Sequence, residues 1–169
     1  MTQLFRFAPA WKMPAGGRTV GVYAAGSLFA LGFWFFLDAA IYSKVRNGGE
    51  VHVAFTDWIP GICSCLGMLV INSIDKSRLS SDSASFSYSS GGVAWKAKLV
   101  LFMGFAFMAG GLAGSVVILV LKYVIPDYPF PTLYFGIANV ASNALIMLSS
   151  VVLWIAQNVE DEFQYNLAL

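Results

Sequence analysis

Four polar side chains interrupt otherwise apolar stretches: Asp38, Asn72, Asn139 and Asn143. An ionisable carboxyl near lipid costs a few kcal/mol at the bilayer centre and less toward the interface, so such a group faces other helices, water or a partner. Asp38 stands one turn inside the far end of its apolar run. Asn139 and Asn143 are four residues apart and share one face of a helix. An asparagine within a span finds an interhelical hydrogen bond worth about 0.6–2 kcal/mol. Two chemistries fit this set: hydrogen-bonded glue between helices, and a polar path for a substrate or ion.

Enzyme signatures are absent. The chain has no HExxH, no GxSxG with a candidate histidine partner and no phosphate-binding glycine loop. His52 is the only histidine, so it has no second imidazole with which to build a metal site, and it reads as a loop residue. Cys63 and Cys65 are the only cysteines. At two-residue spacing their thiols lie about 200° apart around a helix and do not chelate. They read as small packing residues, with acylation near the interface as the alternative. No disulfide framework follows, and the redox compartment stays open. The expectation is a protein with no catalytic residue, no metal and no cofactor.

Small residues recur at helical spacing. Ala106, Gly110 and Gly114 lie four apart, with Gly111 and Ser115 beside them, and Gly17, Gly21 and Ala25 repeat the pattern earlier. In lipid no hydrophobic drive brings helices together, so close backbone approach must supply the contact. Such a stripe packs either within the chain or against another subunit.

Positioning these residues falls to four apolar runs. The chain is 58% hydrophobic and only 11% charged, whereas soluble domains average about 25% charged. A net charge of +1 leaves no basic surface for nucleic acid. Some 20 residues of helix cross a hydrocarbon core about 30 Å thick. The sequence therefore predicts an all-α, polytopic membrane protein with four transmembrane helices, at about 19–42, 55–74, 98–124 and 133–156. The first run is longer than a signal-peptide core, and Asp38 is misplaced for a cleavage site, so it reads as an uncleaved span. The apolar run proper of the second span is Trp58 to Ile74, and Pro60 falls in its first turn, where a missing N–H costs little.

The remaining segments are polar or broken. Residues 1–18 form a basic, aromatic leader, and Asn47-Gly48-Gly49 marks a turn. Residues 75–94 are rich in serine and glycine and read as a flexible loop. Pro126, Pro129 and Pro131 stiffen the last connection, and 158–169 form an acidic tail. With four spans, Arg6, Lys12, Arg18, Lys76, Arg78, Lys96 and Lys98 share one side, and Lys44, Arg46 and Lys122 the other. The excess places both termini in the cytosol.

The stretches AAGSLFALGFWFFLDAAIY, LGMLVINSI, KLVLFMGFAFMAGGLAGSVVIL and YFGIANVASNALIML, in this order and spacing, resemble the transmembrane protein 50 and vacuolar protein sorting-associated protein 68 family over roughly residues 18–157. The serine-rich loop and the tail match only loosely. The resemblance implies a four-span protein of endosomal and vacuolar membranes acting in late endosome-to-vacuole protein transport. It also implies a complex with a second small four-span protein resembling vacuolar protein sorting-associated protein 55. It supplies no catalytic residue. On this reading the protein works by association, with membrane lipids and partner helices against its faces. Asp38, Asn72, Gly110, Gly114, Asn139 and Asn143 then serve helix packing or partner binding. The rival is a small transporter or channel subunit with a polar path near Asp38, Asn139 and Asn143. An intramembrane enzyme comes third. No single span carries the several inward polar residues that a hydrated path needs, which favours association.

Overall fold

The computed structural model describes residues 17–46, 48, 51–74 and 91–167, with side chains described for 95–157 of the last stretch. The chain folds into α1 (Gly17–Val45), α2 (Phe55–Ser73), α3 (Gly91–Ile118), a π-helical segment (Leu119–Val124) that continues α3, and α4 (Thr132–Leu167). Four stretches within them are long and apolar enough to cross a membrane: Gly17–Val45, Phe55–Ser73, Trp95–Val124 and Thr132–Gln157. There is no strand among the described residues. This is the all-α, four-span architecture that the apolar runs demand, because in hydrocarbon each backbone N–H and C=O must be satisfied within its own segment. The leader residues 1–16 with Arg6 and Lys12, the turn residues Asn47 and Gly49, and the serine-rich 75–90 with Lys76 and Arg78 lie outside the described residues, as do the tail's acidic side chains. The backbone of α4 runs on past its span to Leu167.

Large apolar side chains such as Leu31, Phe33, Trp34 and Phe35 of α1 and Phe102 and Phe105 of α3 point outward, as expected where lipid replaces water. The helices pair as α1 with α4 and α2 with α3, and α4 also meets α2, α3 and the π segment. Although consecutive, α1 and α2 do not pack backbone against backbone.

Both seams depend on small residues. A Cβ on Gly21 would stand 2.6 Å from the Ala156 Cβ, and one turn on, the Ser149 hydroxyl donates to the Ala25 carbonyl at 2.7 Å. Between α2 and α3, a Cβ on Gly67 would lie 2.7 Å from the Gly104 carbonyl oxygen. Backbones this close gain dispersion contact that larger side chains would prevent.

Two local features depart from the sequence reading. Helix α2 starts at Phe55, so Pro60 is inside the helix in its second turn, not the first. The cause is Asp57, whose carboxylate at the third helical position accepts the Ala54 N–H at 2.9 Å and starts the helix early. This is one half of a capping box, since alanine has no side-chain oxygen to return the bond. The third run also does not stay α-helical. From Leu119 to Val124 it widens to a π-helix, and the Ile125 N–H reaches back five residues to the Val120 carbonyl at 2.9 Å. Asp127 then turns the chain with φ at 55°, a left-handed conformation that aspartate tolerates better than most residues.

The apolar core sits at the end of the bundle that holds the α1–α2 and α3–α4 connections. It comprises Phe36, Ala39, Ala40, Val53, Tyr123, Phe135 and Ala138. Gly136 makes room for it, because a Cβ there would lie 2.7 Å from the Tyr123 ring.

Candidate functional site

Asp57 is the centre of the polar interior. It is 2% exposed, and its Oδ2 accepts from the Lys122 ammonium, from the Ala54 N–H at 2.9 Å and from the Tyr123 hydroxyl at 3.4 Å. Lys122 and Tyr123 both come from the π segment. An α-helix sets successive side chains about 100° apart, and π geometry narrows that angle. The wider turn helps neighbouring residues converge on one carboxylate. Lys122 Nζ also donates to the His52 carbonyl at 3.0 Å. The His52 Nδ1–H in turn donates to the Ser43 carbonyl at 2.8 Å, and the Ser43 hydroxyl accepts the Val53 N–H at 2.8 Å. The end of α1, the 51–54 segment, α2 and the π segment are thereby tied together.

The network continues along α4. Asn139 Nδ2 donates to the Asp57 carbonyl at 3.0 Å. Asn143 Nδ2 donates to the Asn139 carbonyl at 2.9 Å and to its Oδ1 at 3.1 Å. Asn143 Oδ1 accepts from the Ser64 hydroxyl at 2.6 Å. Ser64, Asn139 and Asn143 are all 2% exposed or less. One atom is left over: Asp57 Oδ1 is buried and has no hydrogen-bond partner among the described residues.

The structure brings Asn139 and Asn143 together, as their spacing implied, and joins them to Asp57, Lys122, Tyr123 and Ser64. The sequence pattern singled out neither Asp57, at the edge of the second predicted span, nor Ser64, between the two cysteines. Asp57 stands at the start of the second run and Lys122 at the end of the third. In antiparallel neighbours those ends share one depth, and that was the available signal. Cys63 and Cys65 are half-buried free thiols on either side of the inward-facing Ser64.

The other predicted residues lie elsewhere. Asn72 is near the opposite end of α2, where its Nδ2 donates to the Met68 carbonyl at 2.9 Å and to the Ser150 hydroxyl at 3.3 Å. Asp38 is exposed on α1, and its Oδ2 accepts from the Tyr134 hydroxyl at 3.0 Å. It bonds to none of the asparagines, so the three residues of the suggested polar path do not form one cluster. Gly110 has nothing within 4 Å of where a Cβ would stand, and Gly114 makes only ordinary contact with Pro60 at 3.6 Å. The internal contact on α3 is made one position round from Gly110: a Cβ on Gly111 would collide with the Ser64 hydroxyl and stand 2.7 Å from the Pro60 carbonyl. An α-helix turns 100° per residue, so Gly110 looks away from α2 when Gly111 faces it.

This arrangement locks all four helices and the α1–α2 connection together through a largely self-satisfied polar network, and it leaves Asp38 and Gly110 on outward faces. Comparison with known proteins sets that geometry in a lineage. A UPF0220 protein of Schizosaccharomyces pombe is 46% identical over 99% of this chain and 97% of its own length. Vacuolar protein sorting-associated protein 68 of Saccharomyces cerevisiae is 53% identical over 98% of this chain and 96% of its own length. A transmembrane protein 50 homolog of Dictyostelium discoideum is 29% identical over 84% of this chain and 91% of its own length. No solved structure matches the chain. The sequence profile of the Uncharacterised protein family (UPF0220) matches residues 1–163, and the chain belongs to that family.

Proposed function

We propose that this protein is a non-enzymatic, multi-pass membrane subunit of a vacuolar protein sorting complex, acting in late endosome-to-vacuole protein transport from endosomal and vacuolar membranes. The observation that carries this reading is the near end-to-end similarity to a yeast protein named for vacuolar protein sorting. The interior supports it. Asn139, Asn143 and Ser64 spend their hydrogen bonds on one another or on the Asp57 backbone, which suits a fixed scaffold better than a site that must admit a solute. The outward apolar faces of α1 and α3 offer lipid and partner helices large contact areas. The partner is a second small four-span membrane protein resembling vacuolar protein sorting-associated protein 55.

The test is complementation in Saccharomyces cerevisiae lacking its own relative. Expression of this chain should restore delivery of a vacuolar hydrolase, and mild-detergent purification should recover a second small membrane protein. Asp38→Leu should reduce that recovery, because it removes an outward carboxylate held among the described residues only by Tyr134, while leaving insertion intact. Normal protein level with missorted hydrolase would overturn the sorting role. Substrate-dependent flux from purified protein in liposomes would favour the transporter reading instead.

A further inference from the structure

Because the backbones of α1 and α2 do not approach each other, a gap of about 460 Å³ opens between the last turns of α1 and the first turns of α2. Its walls are Leu37, Ile41, Phe55, Trp58 and Ile62, its floor includes Ala40 and Val53, and Lys44 stands among the lining residues. Phe36 and Trp58 meet edge to face at 4.8 Å and link the two helices beside the gap. Volumes of about 300–1,000 Å³ with apolar walls and few polar groups are those of small-ligand sites.

We propose that this gap is a binding site for one anionic phospholipid, with an acyl chain in the apolar slot and the net negative headgroup against Lys44. Two observations select this occupant. The slot lies within membrane-spanning segments, so apolar walls meet acyl chains before they meet water. The charge balance among the described residues at its rim is positive. The carboxylate in the same turn as Phe55 and Trp58, that of Asp57, is neutralised by Lys122, whereas Lys44 is exposed and has no acidic partner among the described residues. Lysine at the end of a span lays its stem along apolar surface and lifts its ammonium to headgroup level, where tryptophan also concentrates.

Native mass spectrometry of the delipidated full chain tests this, with phosphatidylserine and phosphatidylcholine of identical acyl chains as probes. One phosphatidylserine should bind at least tenfold more tightly than phosphatidylcholine. Lys44→Gln should abolish that preference while keeping weak binding of both lipids. Ala54→Trp, at an exposed position that lines the slot, should weaken both lipids alike. Equal binding of the two lipids by the unaltered chain would overturn the proposal, as would a preference for phosphatidylserine that survives Lys44→Gln and Ala54→Trp. Crosslinks from residue 58 to a partner protein in the intact complex, in place of lipid, would overturn it too. None of these outcomes depends on whether the protein sorts cargo.

Discussion

Asp57 and Lys122 lie 65 residues apart in the chain, yet their side chains meet inside the bundle. The pair is lopsided: Asp57 is 2% exposed, Lys122 is 28% exposed, and one carboxylate oxygen has no donor among the described residues. Removing one partner of a buried pair leaves an uncompensated charge, at about 3–5 kcal/mol. The two halves should therefore differ. Lys122→Met strands a carboxylate with nowhere to go and should lower the melting temperature most. Asp57→Asn leaves a lysine long enough to swing its ammonium toward water, and should cost less. Asp57→Leu with Lys122→Met should recover much of the loss, because apolar replacement of a whole buried pair is often neutral or stabilising. Thermal unfolding of the four proteins in lipid nanodiscs gives the order, and equal loss in both single variants would mean that the pair is not desolvated.

At the scale of elements, the seams are built from residues with little or no side chain, and register decides which glycine matters. Gly111→Leu would force its side chain into Ser64 and the Pro60 carbonyl, so it should cost more than the 1–3 kcal/mol typical of overpacking and reduce the steady-state level of the protein. Gly110→Leu enters open space and should leave the level unchanged, as immunoblotting of membranes would show. Four spans were legible because composition and run length alone specify them. The small-residue stripe was legible as a stripe but not as a face, since 100° of helix rotation separates Gly110 from Gly111 and only the neighbouring helix shows which side is inward. The π segment was not legible, because nothing in the composition of LVLKYV separates it from α-helix. Asp57 was missed because an acidic residue at the edge of an apolar run carries no signal of its own until its basic partner is found at the same depth.

For the whole molecule, the paired helices fix a spatial order that differs from the chain order: α1 lies on α4, and α4 lies on α2 and α3. An even number of spans sets both ends on one side, and seven of the ten basic residues fall there on the sequence count. Protease added to intact late endosomes should therefore remove tags from both the N-terminus and the C-terminus, and protection of either tag would contradict a both-ends-cytosolic arrangement. The pairing of first helix with last also sets a timetable for biosynthesis. At about 5–20 residues per second, α1 leaves the ribosome on the order of ten seconds before the helix it must pack against. Through that interval α2 and α3 can already close on each other, while the Ala25 carbonyl waits for Ser149 and the Asp57 carbonyl waits for Asn139. A nascent chain halted before α4 would thus present a half-built membrane protein with its first helix unmated, the form in which quality control would meet it.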